Sequence, residues 1–421
     1  MMTKRHPEGT QLKQRAKNNE PSSFCRKSEL YAEELNGLTT VELFCGIGGF
    51  RVAADRLGIK TLWANDFSPL ACKVYRERFS SDVLREGDIA ELVSEIPEHD
   101  ILTGGFPCQP FSAAGKKKGI RDARGTLFQT IVDVVRERQP RYFVLENVKR
   151  LLSMELGTHF ATVLSALTSL GYFVEWRVLN AKHFGLAQNR ERVVILGTRV
   201  DGYNRENFHA YEKIRLSELA YATPGIDQIL RDVGSWRKLD KHRSTFPNWG
   251  VAFGAFYVAH ELNDFLEKIP TKSLLDVLEE NPGEEYDYTA QTLNRLHMNE
   301  VVDRYVNGVE IVSNQSGGAR MGYTIFGANG IAPTLTASTS RHYERYKIGD
   351  RYRRLSPIEY ARLQGFADNH CSAVRGYDQY ALLGNAVPPP MIEWVLRKVL
   401  SNPSVSSMRP VATQKDLFCV Q

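Results

Sequence analysis

The sequence predicts an α/β protein: a doubly wound, mostly parallel sheet with a second, smaller domain of irregular α+β character. Three observations carry this. Short apolar runs alternate with helical stripes from residue 39 to about 200; glycines crowd the first strand-to-helix junction; and the alternation stops after about residue 200, returning as helical pattern only near residue 356.

The first strand is Thr39 to Cys45, with Val41, Leu43 and Phe44. Gly46, Gly48 and Gly49 follow, then Phe50, Ala53, Ala54 and Leu57 recur at helical spacing up to Gly58, which suits a helix C-terminus. Thr61 to Ala64 is a second strand, ending near Asp66, and Asp100 to Thr103 another, running into Gly104 and Gly105. Leu127, Phe128, Ile131, Val134 and Val135 form a helical stripe that Pro140 closes, and Tyr142 to Leu145 is a strand running into Glu146. Phe160 to Leu170 is helical; Tyr172 to Leu179 and Arg192 to Gly197 are strands. Residues 201–335, with Trp236, Arg237, His242, Trp249 and Arg320, show short mixed periods and form the second domain. Helical pattern resumes at Ser356 to Leu363 and Met391 to Leu400. The organisation expected is therefore a flexible polar extension (1–36), a first domain (37–200), the second domain (201–335), a return to the first (336–400) and a tail (401–421).

Composition narrows the class. Of 421 residues, 42% are hydrophobic and 24% charged, ordinary for a globular protein. No stretch approaches the ~20 apolar residues of a membrane span, and no apolar leader opens the chain, so a cytoplasmic protein without a membrane partner is expected. The net charge of +5 permits a nucleic-acid partner without demanding one. The six cysteines form no C-x-x-C pair and have no histidines at zinc spacing, so reduced thiols and no metal are expected.

Two places carry chemistry. Gly46-Ile47-Gly48-Gly49 joins a strand to a helix and lets backbone approach a ligand, and Asp66 stands 20 residues on, at the end of the next strand, where a doubly wound fold puts a carboxylate on ribose hydroxyls. The spacing is not G-x-G-x-x-G, which favours a mononucleoside cofactor over a dinucleotide; a tight turn without ligand has the same sequence. Phe67 could stack on a base or fill a core. The second place is Gly104-Gly105-Phe106-Pro107-Cys108-Gln109-Pro110, at the C-terminal end of a strand, followed by a loop with Ser112 and Lys116 to Lys118. Glu146-Asn147-Val148 ends the neighbouring strand, so Gly46, Cys108 and Glu146 should open onto one crevice, a thiol nucleophile paired with a proton donor. Singly, each has an ordinary alternative: a small core cysteine, a solvated lysine face, a structural carboxylate.

Together these segments resemble the cytosine-5 DNA methyltransferase family. The resemblance covers about residues 39–200 and 350–400 and runs in the family's order: Phe44-Cys45-Gly46-Ile47-Gly48-Gly49, Gly87-Asp88-Ile89, Phe106-Pro107-Cys108-Gln109, Glu146-Asn147-Val148, Gln188-Asn189-Arg190-Glu191-Arg192, Leu363-Gln364-Gly365-Phe366 and Gly384-Asn385-Ala386-Val387-Pro388-Pro389. It implies the S-adenosylmethionine-dependent methyltransferase fold and a target-recognition role for the second domain. It also implies that Phe44, Gly46, Gly48, Gly49, Asp66, Phe67, Asp88, Ile89, Asn385 and Val387 bind S-adenosylmethionine. Cys108 would be the nucleophile, Glu146 would contact the target cytosine, and Arg190 and Arg192 would hold the base and its phosphate. Pro107, Gln109, Ser112, Asn147 and Gln188 would meet double-stranded DNA. A monomer, and a companion restriction endonuclease acting on the same sequence, are further implications of the resemblance.

The chemistry suits these residue types. A thiolate adding to carbon 6 makes carbon 5 of cytosine nucleophilic, and a carboxylic acid at N3 draws charge away as the adduct forms. A paired cytosine hides carbon 6, so the base must be flipped out. Methylation of tRNA by the same chemistry is the alternative; the long middle region favours sequence reading on DNA. A nicotinamide oxidoreductase would need the missing G-x-G-x-x-G, and amino-methylating enzymes the absent Asp/Asn/Ser-Pro-Pro-aromatic tetrapeptide.

Overall fold

A computed structural model of the chain describes residues 37–79, 81–107, 127–200, 235–262, 271–296, 300–314, 324–337 and 344–400. The expected N-terminal extension and C-terminal tail, together with Cys108, Gln109, Ser112, Lys116 to Lys118 and Arg320, lie outside these residues. The elements, in chain order, are β1 (Thr39–Leu43), α1 (Gly49–Arg56), β2 (Lys60–Asp66), α2 (Pro69–Arg78), β3 (Leu84–Glu86), α3 (Ile89–Leu92), β4 (Ile101–Gly105), α4 (Leu127–Arg138), β5 (Tyr142–Val148), α5 (Thr158–Thr168), β6 (Tyr172–Asn180), β7 (Glu191–Arg199), β8 (Arg237–Lys238), β9 (Trp249–Phe253), β10 (Phe256–His260), α6 (Ala290–Leu296), β11 (Glu300–Val306), β12 (Val309–Asn314), β13 (Thr324–Phe326), β14 (Arg345–Ile348), β15 (Arg351–Arg353), α7 (Pro357–Gln364), α8 (Tyr377–Asn385) and α9 (Pro389–Leu400).

The main sheet runs β3-β2-β1-β4-β5-β7-β6-β9-β10-β8. Strands β3, β2, β1, β4 and β5 are parallel and the rest antiparallel. The order reverses between β1 and β4, which opens a crevice at their carboxyl ends. Both faces are covered, and the side chains alternate accordingly. Ile101, Tyr142, Val144 and Val194 share one core with Phe50 and Ala53 of α1 and with Met391, Ile392 and Val395 of α9. Leu102, Phe143, Leu145, Val193 and Ile195 share the other with Ile131 and Val135 of α4 and Phe160, Leu164 and Leu167 of α5. The chain thus returns after residue 350 because the face beside α1 needs α9 to cover it.

Part of the stretch expected to form the second domain joins the main sheet. β9 pairs with β6 from Val174 to Arg177, so residues 235–262 extend the main sheet. Trp249 is fully buried there, its Nε1 donating to Glu175 Oε1 at 2.8 Å, and His242 is buried between Tyr257 and Phe246. These side chains are buried against the main sheet and present no polar group at the surface. The physical reason is the edge of β6, whose unpaired backbone groups β9 satisfies. The run Trp249–Phe253 is buried at every position, so it lacks the alternation that marks a strand with one wet face.

The second sheet, β11-β12-β13-β14-β15, takes β14 and β15 from the stretch expected to belong wholly to the first domain. A buried ion pair joins β15 to α7: the Arg353 guanidinium meets both Glu359 oxygens at 2.7 Å. Glu359 also accepts from Ser356 N, closing a capping box ahead of Pro357. Helix α2 is announced by Ser68 as N-cap and Pro69 at the first turn. Among the described residues no helix is long and apolar enough to cross a membrane.

Candidate active site

After β1 the chain turns sharply. Phe44 adopts φ +54°, a left-handed conformation that costs a non-glycine residue on the order of 1–2 kcal/mol. Gly46 (φ +55°) and Gly48 (φ +83°) continue the turn, and Gly48 N donates to Cys45 O at 2.8 Å. Asp66 anchors it from β2: one carboxylate oxygen accepts from Gly46 N and the other from Ser68 N, each at 2.8 Å. Burial pushes the Asp66 carboxyl up, and these backbone donors pull it back.

The three glycines differ in what a side chain would meet. A Cβ at Gly46 would meet nothing within 4 Å, so this position faces open space. A Cβ at Gly48 would lie 2.3 Å from the Phe79 ring, and one at Gly49 would lie 2.4 Å from Val387 O. Gly48 and Gly49 make room for the protein itself. Val387, itself buried, therefore contacts the turn directly. Phe67, next to Asp66, is 76% exposed, an aromatic face left free beside the open Gly46. Asn65 donates to Arg85 O (2.9 Å) and Gly87 O (3.0 Å), fastening the stretch before Asp88 to the end of β2. Asp88 is exposed and caps α3 through Ala90 N, Ile89 is buried, and Asn385 is exposed.

Beneath the turn, Glu42 is 1% exposed and accepts from Tyr75 OH at 3.2 Å. Burial pushes its carboxyl from the ordinary 4.5 up to about 8. Across that window the folded chain keeps a proton that the unfolded chain has released. Its contribution to stability is therefore greatest at low pH and is lost as pH rises toward 8. Thermal melts of the wild type should fall between about pH 5 and about pH 8, and Glu42→Gln should flatten that fall; an unchanged slope in the variant would assign the dependence to another group.

The second half of the crevice lies across β4, β5 and β7. Gly105 pairs with Glu146 in the β4–β5 register, and a Cβ at Gly105 would come within 3.2 Å of Glu146 Oε2. Glu146 is opposite Val194 on β7, which places Arg192, two residues earlier on the same face, diagonally beside it. Arg192 Nε meets Glu146 Oε1 at 2.8 Å, both side chains 12% exposed. Burial pushes the Glu146 carboxyl up, while Arg192 and Arg190 restrain it. The arrangement holds a largely desolvated carboxyl, able to carry or share a proton, at the mouth of the crevice. Phe106 packs on Phe128 and leads to the exposed Pro107, immediately before Cys108.

Three residues expected to touch DNA or the target base are buried instead. Asn147 is 3% exposed; its amide donates to Phe106 O at 2.8 Å and accepts from Val148 N, so it braces the approach to Pro107. Gln188 is fully buried, bonded to Leu363 O and Leu335 N. Arg190 is fully buried and donates to Leu335 O, Gly384 O and Ala386 O at 2.9–3.0 Å. Gln188 and Arg190 fasten the segments around 335, 363 and 384–386 to the end of the main sheet. The signal was ambiguous, because a polar residue in a motif serves a ligand or a junction equally well.

A family model described as C-5 cytosine-specific DNA methylase matches residues 38–401. The chain is 32% identical over 369 residues to the Type II methyltransferase M.HpaII of Haemophilus parainfluenzae, covering 86% of this chain and 89% of that protein. It is 30% identical over 381 residues to the Type II methyltransferase M.HhaI of Haemophilus parahaemolyticus, covering 89% and 98%. The solved structure of S. pombe Dnmt2 methyltransferase superposes with a TM-score of 0.56 at 18% identity, covering 86% of this chain and 98% of that one, and supports the fold.

Proposed function

The chain belongs to the C-5 cytosine-specific DNA methylase family and is a DNA cytosine-5 methyltransferase, and we propose that it methylates one short duplex sequence through a covalent Cys108 adduct, protecting that sequence from a companion restriction endonuclease. The observation that supports the mechanism is the buried Glu146–Arg192 pair beside the end of β4, one strand from the turn at Gly46.

The residues present fit S-adenosylmethionine: an exposed aromatic, Phe67, beside a glycine turn open at Gly46, with Asp66 and the exposed Asp88 and Asn385 for its polar groups. When bound, S-adenosylmethionine supplies the methyl group as an electrophile on a positively charged sulfur. Cys108, as thiolate, forms the bond to carbon 6, and the displaced π electrons reach carbon 5, which becomes the nucleophile toward that methyl group. Glu146 donates its proton to N3 as the adduct forms and takes it back as the adduct collapses. After a base removes the carbon 5 proton, the sulfur–carbon 6 bond breaks and Cys108 leaves as thiolate. Arg192 holds Glu146 at the mouth of the crevice throughout. Flipping the cytosine costs a few kcal/mol of unstacking, offset by contacts from the second sheet and the lysine-bearing segment after Cys108, whose phosphate contacts make binding fall with salt.

Expression in a methylation-free bacterial host, followed by bisulfite sequencing, tests this reading. Protected cytosines confined to one short motif are expected. A genome without protected cytosines, from soluble protein that methylates tRNA in vitro, would overturn it.

A further inference from the structure

We infer that His370 is a positioning residue for the cofactor turn, holding the Ile47–Gly48 peptide in the orientation that leaves Gly46 open. The inference rests on the reading of that turn as the S-adenosylmethionine site. His370 lies between α7 and α8, 323 residues along the chain from Ile47, and its Nε2 stands 2.7 Å from Ile47 O. A carbonyl only accepts, so Nε2 carries the hydrogen and donates it. Burial holds the His370 imidazole at about 4, so the ring is neutral at physiological pH and keeps one donor for this contact.

Both ends of one peptide are thereby held: Ile47 C=O by His370, and Gly48 N–H by Cys45 O at 2.8 Å. A peptide plane with both ends bonded cannot rotate without leaving a buried polar group unpaired. The Ile47 side chain, 1% exposed, adds a third attachment, packing with Leu363, Phe366 and Leu383 of the C-terminal segment. The His370 ring lies 4.4 Å from Phe366 and 6.1 Å from Phe79, centre to centre. Phe79 is also the ring that takes the space of the Cβ that Gly48 lacks. Ser372 ties the same segment to the end of α2 through Glu77 at 2.6 Å. Cofactor affinity is thus set in part by a residue with no place in the chemistry.

The test compares His370→Phe, which keeps a ring against Phe366 and Phe79 but removes the donor, with His370→Gln, which restores an N–H at similar reach. Equilibrium binding of S-adenosylmethionine, its KM, kcat, duplex DNA binding and Tm are measured on the full chain, with Phe67→Ala as control for the site. His370→Phe should raise the Kd and KM for S-adenosylmethionine ~10-fold, each tenfold being about 1.4 kcal/mol, with the loss falling on KM rather than kcat. His370→Gln should recover most of it. Unchanged cofactor affinity in His370→Phe, while Phe67→Ala loses it, would overturn the role of His370 alone. A matching drop in Tm, DNA binding and cofactor binding in both His370 variants would make the histidine merely structural. Intact cofactor binding in Phe67→Ala would remove the site reading and this inference with it.

Discussion

Cys108→Ala should abolish methyl transfer while leaving duplex DNA binding in place. The expected fall in turnover is ~10⁴-fold or more, the order of loss when an enzyme's nucleophile is removed. None of the cysteines among the described residues can substitute. Cys45, Cys72 and Cys371 are buried thiols, and burial pushes Cys72 and Cys371 up to about 12 and Cys45 well above the ordinary thiol value, so they stay protonated. Methyl incorporation and a mobility-shift assay with the target duplex measure the two arms. A duplex carrying 5-fluorocytosine adds a direct readout, since fluorine cannot leave as a proton does and the thiol adduct persists. Wild type should be trapped and Cys108→Ala should not; substantial turnover by the variant would end the covalent mechanism.

The second large effect is expected at Glu146. Glu146→Gln keeps the volume and a hydrogen bond to Arg192 but removes the acidic proton, and kcat should fall by ~10²–10⁴, the usual worth of a positioned general acid. The sign of the pH dependence follows from burial, which raises the Glu146 carboxyl. The protonated form persists above the ordinary glutamate range, and the rate carried by it declines as pH rises through the raised value. That alkaline limb should be present in the wild-type kcat profile and absent in Glu146→Gln. A limb that survives the substitution would take the acid's role from Glu146. The paired cation matters as well: in the variant, Arg192 keeps its charge in a site where its side chain is 12% exposed, so some loss of stability should accompany the loss of rate.

The difference between what could and could not be read is clearest in particular residues. The alternation of Ile101, Leu102, Tyr142, Phe143, Val144 and Leu145 between two cores is a local periodic signal, and it placed the strands and the helices over them. Trp249–Phe253 has no period because it is buried on both faces, so its joining β6 in the main sheet was not legible. Gly48 and Gly49 look the same as Gly46 in sequence, yet only Gly46 faces open space, because the neighbours of the other two, Phe79 and Val387, come from 31 and 338 residues away. Asn147, Gln188 and Arg190 carry groups that suit DNA, and the structure spends them on backbone carbonyls and amides.

The sequence by itself determined the α/β class, the strands that carry Glu146 and lead to Gly46 and Pro107, and the chemical repertoire available there, because period and residue type are local properties of the chain. Only the tertiary structure decided that Arg192 pairs with Glu146, that Arg190 is a buried fastener, that residues 235–262 finish the first sheet, and that His370 reaches back to Ile47. Each of these depends on strand register and on packing between segments tens to hundreds of residues apart, where burial and hydrogen-bond satisfaction choose partners that no local pattern encodes.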